Sequence, residues 1–185
     1  TPTLCLKTVR TYSEGDICRH SYENLKMLQQ KVKGSDYTEM FAKPLYLYDD
    51  GSLIFTIETA CPGEKFSLGK HDVELVMEEY INWQSYLAKK TQTIIQHGDM
   101  TPDNVLVSGK NVYLIDYDYE GDNWTQGFDI FNFLSKIRLS PEILRSYYKR
   151  YLPLYFKSIG AHVESYESLF PIYNAEETKR KAGKS

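Results

Sequence analysis

Apolar residues follow two kinds of pattern along the chain, one typical of strands and one typical of helices. Short runs rich in Val, Ile, Leu and Tyr predict strands, and they cover residues 3–9, 45–48, 52–57, 105–107 and 112–115. Asp49-Asp50-Gly51 lies between two of these runs and has the chemistry of a turn. The first part of the chain is therefore expected to form a small antiparallel sheet.

Apolar residues at helical spacing predict four helices, and the remainder through Tyr166, Phe170 and Pro171 is expected to form one or two short helices. The first begins at Asp16 as N-cap and ends at Gly34, with an apolar stripe of Ile17, Leu25, Leu28 and Val32. A second covers 72–89, where Val73, Val76, Met77, Tyr80, Trp83 and Leu87 share one face. Asp129 opens a third helix, and Ser140-Pro141-Glu142 starts a fourth that Pro153 is expected to interrupt. The later part of the chain is thus predicted to be mostly helical.

The strands at 105–107 and 112–115 are joined by Ser108-Gly109-Lys110-Asn111, so the segment predicts a hairpin. In a hairpin, the residues that enter and leave lie opposite each other, about 5 Å apart. Asn104 enters and Asp116 leaves, and Asp99 lies on the loop just before. A carboxamide and two carboxylates brought together repel unless a cation joins them, and such oxygen ligands suit Mg²⁺.

This arrangement resembles a known catalytic motif. His97-Gly98-Asp99 with Asn104 matches the His-x-Asp-x-x-x-x-Asn loop of protein-kinase-like phosphotransferases, and Leu114-Ile115-Asp116 matches their metal-binding strand. The His-Gly-Asp form is similar to the small-molecule branch, which contains aminoglycoside phosphotransferases and choline/ethanolamine kinases. The continuation most resembles the choline/ethanolamine kinases at 115–119, 123–124, 127–130 and Asn132, whereas Gly121-Asp122 is closer to the aminoglycoside branch.

The resemblance implies a role for each matching residue. Asp99 would be the catalytic residue that accepts or orients the proton of the substrate hydroxyl. Asn104 and Asp116 would hold Mg²⁺ against the phosphates of ATP. His97 and Asp129 would be structural supports, with Asp129 accepting hydrogen bonds from the backbone of the catalytic loop. A simple helix N-cap is the alternative role for Asp129.

Lys7 stands among apolar residues in the strand at 3–9 and resembles the strand Lys that holds the α- and β-phosphates. A solvated strand Lys is the alternative interpretation. Glu23, on the helix that follows, is the candidate partner that would orient Lys7, with Glu14 and Glu39 competing for this role.

The resemblance also implies a fold and its division. We expect an α+β, protein-kinase-like two-lobe fold with a partial N-terminal lobe at 1–57, a hinge at 58–63 and a helical C-terminal lobe at 64–185. Glu58 and Ala60 in the hinge would meet the adenine edge. Only six residues precede Lys7, too few for the two strands of a phosphate-covering hairpin. The N-terminal lobe is therefore expected to be truncated, as in a fragment or clipped chain, or to have a different lid.

Residues after Asp116 suggest the acceptor. Asp118, Glu120 and Asp122 form an acidic rim, and Tyr117, Tyr119 and Trp124 lie among them. Acids beside aromatic faces suit a cationic amine, so we assign Asp118, Tyr119 and Trp124 to substrate binding. An amino alcohol such as choline or ethanolamine is the expected acceptor, with an aminocyclitol or a cell-surface sugar next. The alternative is that these aromatic residues only pack.

Composition narrows the function classes. The net charge of −3 provides no basic field for nucleic acid. No run approaches the roughly 18 apolar residues of a membrane span, and no signal peptide opens the chain. Cys5, Cys18 and Cys61 are odd in number and scattered, which favours thiols in a reducing cytoplasm. Two rival functions remain, a nucleotide-binding pseudokinase and a Mg²⁺-dependent phosphohydrolase, and the sequence leaves the oligomeric state open.

Overall fold

The computed structural model describes residues 3–9, 11–117 and 124–182, with side chains as far as Lys179. The strands are β1 (Leu4–Thr8), β2 (Pro44–Asp49), β3 (Ile54–Thr59), β4 (Glu64–Lys65), β5 (Val105–Ser108) and β6 (Asn111–Leu114). The helices are α1 (Asp16–Val32), α2 (Val73–Thr91), α3 (Phe128–Lys136), α4 (Pro141–Ser158) and α5 (Phe170–Ala182). The predicted strands and helices are all present, which confirms the mixed α+β composition.

The chain divides into two compact units. The first comprises Thr1–Phe66 and Asp103–Glu120, and the second comprises Ser67–Pro102 and Gly121–Ser185. This grouping differs from the predicted division, which placed the 105–115 hairpin in the later lobe. The hairpin belongs to the first unit because β4 pairs with β5, with Glu64 opposite Val107, and because Phe41 bridges to Leu114.

The first unit is built on a three-stranded antiparallel sheet in the order β1-β3-β2. In β3 the residues at 54, 56 and 58 are buried and the residues between them are not. β1 pairs so that Cys5 lies opposite Glu58 and Lys7 opposite Thr56. Lys7 and Glu58 are therefore diagonal neighbours on one face of the sheet.

Helix α1 packs in the first unit through Cys18, Ser21, Leu25, Leu28 and Val32. These positions repeat at intervals of three and four and form one stripe. The prediction that Ile17 belongs to this stripe was wrong, since its side chain is 46% exposed. Ile17 precedes Cys18 by one position and so points about 100° away from the stripe. The helix is also capped one residue earlier than expected, by Gly15.

The second unit is helical and its core is aromatic. α4 packs against α2 and α3, and α5 packs against α3. Its largest fully buried side chains are Tyr80, Trp83, Phe128, Phe133, Tyr151, Tyr155 and Tyr173. Asp72 caps α2 by accepting a hydrogen bond from the amide of Glu74 at 2.8 Å. Among the described residues, no helix is both long and apolar enough to cross a bilayer.

Proline 153 does not interrupt α4, contrary to the prediction. The helix runs from Pro141 to Ser158 with Pro153 inside it. Pro153 is exposed, whereas Tyr151, Leu152, Tyr155 and Phe156 around it are buried. Burial of this face holds the helix together across a position where proline removes one backbone hydrogen bond.

Candidate active site

The hairpin that carries the predicted metal ligands forms as expected. Val105 pairs with Leu114 and Ser108 with Asn111, and Gly109 in the turn has a positive φ of 62°. Beyond the last strand pair, the amide of Ile115 donates to the carbonyl of Asn104 at 3.0 Å. This bond places Asn104 beside the residue that precedes Asp116, at the open end of the hairpin.

Asn104 and Asp116 line one cavity of about 290 Å³ in the first unit, together with Lys7, Glu58 and Ala60. The ammonium of Lys7 lies 3.3 Å from Asp116 Oδ1 and 3.5 Å from Glu58 Oε1. The Lys7 side chain is 24% exposed and that of Glu58 only 7%, so the pair is substantially desolvated. Lys65 and Asp103, which pair with each other at 3.3 Å, also line the cavity, so its charged and amide groups are two ammonium groups, three carboxylates and the carboxamide of Asn104.

The structure gives Lys7 a different acidic partner from the one predicted. Glu58 lies next to Lys7, whereas Glu23 pairs with Lys26 at 3.7 Å on the exposed side of α1. The reason is the register of β1 on β3, which sets Lys7 and Glu58 on the same face. The local signal for this was a Glu at a buried position of an alternating strand, Ile54-Phe55-Thr56-Ile57-Glu58.

Two residues that the prediction assigned to the hinge belong to a strand. Glu58 and Thr59 are the last residues of β3, so Glu58 points its side chain at Lys7 from within a strand. The amide of Ala60 donates to the carbonyl of Thr3 at 3.1 Å. A donor role for Ala60 toward an adenine ring would require the exchange of that hydrogen bond.

Two cysteines that the sequence analysis gave no role, Cys5 and Cys61, line the same cavity. Burial raises the pKa of the Cys61 thiol to about 12, and the nearby carboxylate of Glu58 adds to the rise. Burial raises the pKa of Cys5 as well. None of the three cysteines, all of which are described, forms a disulfide. The two thiols in the cavity are therefore weakly nucleophilic.

In the second unit, the backbone of the predicted catalytic loop is held by Asp129. Its carboxylate accepts hydrogen bonds from the amides of His97 at 2.6 Å and Gly98 at 2.9 Å, and from the hydroxyl of Tyr80 at 2.7 Å. Asp129 lies within α3, and the N-cap of that helix is Gly127. Burial raises the pKa of Asp129, while these three hydrogen bonds oppose the rise.

Asp99 itself is 5% exposed, and its amide donates to His97 Nδ1 at 3.2 Å. His97 is fully buried, and Gly98 between them has a positive φ of 78°. The positions of His97 and Asp129 are those of supports for the loop that carries Asp99. The two residues before Asp99 are held to the core through the hydrogen bonds of their amides to Asp129.

Two buried glutamines that were not predicted from the sequence also hold the residues around this loop. Gln84 on α2 donates to the carbonyl of Ile95 at 2.6 Å and to the hydroxyl of Tyr80 at 3.0 Å. Gln96 donates to the hydroxyl of Tyr155 at 2.6 Å and accepts from the amide of Asp129 at 3.3 Å. A signal was present, because Gln84 lies one helical turn after Tyr80 on the buried face of α2.

Of the three residues predicted to bind the acceptor, the structure describes one. Asp118 and Tyr119 lie outside the described residues. Trp124 is described, and its ring stacks on Phe128 with centroids 4.9 Å apart and planes 13° from parallel.

The donor set of the first unit fits Mg²⁺. Asn104 and Asp116 provide two oxygen ligands, and Mg²⁺ in phosphate-binding sites takes one or two protein ligands and keeps the rest for water and phosphates. Asp116 has a left-handed backbone, φ 70°, and a carboxylate that is 44% exposed. Across the part of the chain that the structure describes, no group of three or more His, Cys, Asp or Glu side chains forms a metal site. A closed structural metal centre is therefore not present there.

Comparison with solved structures identifies the fold. The chain superimposes on the aminoglycoside phosphotransferase APH(3'')-Id from Streptomyces rimosus, solved with ADP and streptomycin, with a TM-score of 0.67 and 9% identity over 95% of this chain and 86% of that chain. An aminoglycoside-3'-phosphotransferase of type VIII gives a TM-score of 0.57 and 17% identity over 94% and 84%. No protein-family model matches the chain, and neither does any curated protein sequence.

The fold is therefore that of the aminoglycoside phosphotransferases, a protein-kinase-like fold. The expected fold class and the resemblance to this class are confirmed. At these identities the similarity establishes architecture, and function has to be argued from the side chains.

Proposed function

We propose that this protein transfers the γ-phosphate of ATP to a hydroxyl of a small molecule, with Mg²⁺ as the metal and an amino alcohol such as choline or ethanolamine as the acceptor. The observation that carries the proposal is the placement of Lys7 beside both Asp116 and Glu58, in a cavity that Asn104 also lines. A cation held by two acids next to a metal-type donor pair suits the phosphates of a nucleotide.

On the nucleotide side, Lys7 would bind the phosphates and Glu58 would orient Lys7. Asn104 and Asp116 would hold Mg²⁺, which neutralises charge on the β- and γ-phosphates when bound. Glu58 is almost fully buried, so its charge acts on Lys7 through a poorly screened path. Glu58 thereby takes the orienting role that the sequence gave to Glu23.

On the acceptor side, Asp99 would accept the proton of the substrate hydroxyl. The oxygen of that hydroxyl forms a bond to the γ-phosphorus, the bond from phosphorus to the β–γ bridging oxygen breaks, and ADP leaves. The hydroxyl proton passes to the carboxylate of Asp99. His97 and Asp129 hold the loop backbone, so that positioning supplies much of the rate.

The acceptor itself is proposed from Asp118, Tyr119 and Trp124. Carboxylates and aromatic faces bind ammonium groups through charge and cation–π attraction. Choline and ethanolamine carry such groups, and so do aminoglycosides. The aminoglycoside alternative has support of its own, since a structure with this fold was solved with streptomycin. A cell-surface sugar is a further alternative. A cytoplasmic location, where thiols stay reduced, is also part of the proposal.

An acceptor panel tests the proposal. ADP release is measured with ATP and Mg²⁺ in the presence of choline, ethanolamine, streptomycin, kanamycin or an uncharged sugar, with an acceptor-free control. We expect ADP release that depends on one of the amines. Nucleotide binding without acceptor-dependent release would favour the pseudokinase, and release of phosphate from ATP without an acceptor would favour the phosphohydrolase.

A further inference from the structure

Helix α5 holds the segment that precedes α3. One carboxylate oxygen of Glu176, Oε1, accepts two hydrogen bonds from Thr125, one from its amide at 2.8 Å and one from its hydroxyl at 2.7 Å. The hydroxyl of Tyr173 donates to the carbonyl of Gln126 at 2.6 Å. Two consecutive residues of the segment are thus bonded to side chains one helical turn apart on α5.

The next residue also fits closely against α5. Gly127 has a positive φ of 87°, and a Cβ built on it would lie 2.6 Å from the hydroxyl of Tyr173 and 3.2 Å from Leu152 Cδ2. A side chain here would collide with the hydroxyl that holds Gln126, so glycine allows the contact. The path of residues 125–127 is therefore fixed by hydrogen bonds and by close packing.

Residues 125–127 lie between two residues of the proposed mechanism, and together with Trp124 they form segment 124–127. The ring of Trp124 stacks on Phe128, which in turn meets Tyr173 edge-on at 6.3 Å. Asp129 follows it by two residues and bonds the backbone of the catalytic loop. A shift of the segment would move an acceptor-binding candidate and the support of the loop together.

We propose that Glu176 and Tyr173 are positioning residues that act through segment 124–127. They set Trp124 on the acceptor side and keep Asp129 beneath the catalytic loop. The part that concerns the acceptor rests on the proposed function, whereas the mechanical link from α5 to the loop does not. Neither residue was a candidate from the sequence, where both lie in a helix far from any motif.

The neighbouring residue provides a matched control. Glu177 pairs with Lys136, the last residue of α3, so it attaches the same helix α5 to the far end of α3. A general role of α5 in stability predicts that Glu176→Ala and Glu177→Ala behave alike. A positioning role predicts that only Glu176→Ala affects segment 124–127 and the catalytic loop.

Hydrogen–deuterium exchange of the full chain separates the two. We expect Glu176→Ala to accelerate exchange in peptides covering 124–128 and 96–99 by on the order of tenfold. Glu177→Ala should leave both peptides near the parent rate, and Glu176→Gln, which keeps an accepting oxygen, should restore most of the protection. Equal patterns in the two Ala variants, or a parental rate at 96–99 in Glu176→Ala, would overturn the proposal.

If Glu176→Ala fails to fold, the hydrogen bond from the Thr125 hydroxyl to Glu176 can be removed by substituting Thr125 instead. Thr125→Val lacks the donating hydroxyl and Thr125→Ser retains it, so the Val variant alone should show faster exchange at 96–99. Kinetics with choline, ethanolamine or streptomycin then form a second arm, in which Glu176→Ala should raise the acceptor KM about tenfold with the KM for ATP nearly constant. Absence of transfer to all three would contradict the proposed function, while the exchange result still decides the link from α5 to the loop.

Discussion

Among the described residues other than glycine, Gln92 and Asp116 have a positive φ, and Asp116 is the one proposed to bind the metal. Asp116 has φ 70°, in the left-handed region where only glycine is unstrained and where Asp and Asn are the best tolerated of the other residues. Such strain persists where the surroundings impose it, and it concentrates at functional sites. No sequence pattern announces a backbone angle, so the spacing of the motif predicted the position of Asp116 but not its conformation.

Two substitutions of Asp116 should distinguish the contribution of its carboxylate charge from that of its left-handed backbone conformation. Asp116→Asn keeps tolerance of the left-handed backbone and loses the charge, whereas Asp116→Ala loses both. We expect both variants to weaken Mg²⁺-dependent ATP binding by roughly a hundredfold or more, because a charged metal ligand contributes several kcal/mol. Only the Ala variant should also lower the free energy of unfolding. Calorimetric titration with and without Mg²⁺ measures the first effect, and unchanged affinity in both variants would refute the metal assignment.

The thiol of Cys61 gives a prediction about pH. Its pKa is raised to about 12, so at pH 8 only about one molecule in 10⁴ carries the thiolate. Since the thiolate is the nucleophile, iodoacetamide should modify Cys61 on the order of a thousandfold more slowly than an ordinary thiol, with the rate still rising above pH 10. Mass spectrometry of the native and urea-unfolded protein measures this. Equal rates in the two states would contradict the buried environment of Cys61.

For the secondary-structure elements, turn residues and apolar spacing gave correct predictions. Ser108–Asn111 predicted the hairpin, and the apolar spacing of 72–89 predicted α2. The predictions that were wrong concern how two elements pack against each other. The pairing of Lys7 with Glu58 follows from the register of β1 on β3, and the burial of Cys18 in place of Ile17 follows from the rotation of α1. A local sequence pattern does not determine the register of a strand or the rotation of a helix, because both depend on packing against other elements.

The pairing of β4 with β5, the first strand of the hairpin next to the proposed metal ligands, requires a glycine at position 63. Gly63 has φ 103°, and a Cβ there would meet the carbonyl oxygen of Val107 at 2.5 Å, whereas Gly51 has φ 85° and open space around it. We expect Gly51→Ala to cost about 1 kcal/mol from left-handed strain alone. Gly63→Ala should cost more than ~2 kcal/mol, since it adds a clash with backbone. Urea unfolding compares them, and equal losses would show that β4 and β5 are not held as described.

At the scale of the whole molecule, fold and function rest on different amounts of sequence. The architecture is shared with phosphotransferases at 9% and 17% identity, so it is specified by the general pattern of apolar positions. The proposed chemistry rests on far fewer residues, chiefly Lys7, Asp99, Asn104 and Asp116. The motif spacing identified three of these as candidates, and Lys7 was a candidate through its place in an apolar strand before a helix. The acceptor depends on side chains outside these motifs, which is why the sequence left several acceptors open.

In the proposed mechanism Asp99 serves the transfer step and not the binding of the nucleotide. The most direct measurement compares Asp99→Asn with the parent, and with Asp36→Asn as an exposed acid that does not line the cavity, in acceptor-dependent ADP release and in calorimetric Mg²⁺-ATP binding. Loss of a positioned proton acceptor should lower turnover by roughly 10²–10⁴-fold, while the Kd for Mg²⁺-ATP stays within about threefold of the parent. Asp36→Asn should match the parent in both. Turnover of Asp99→Asn within a few-fold of the parent would rule out this role of Asp99.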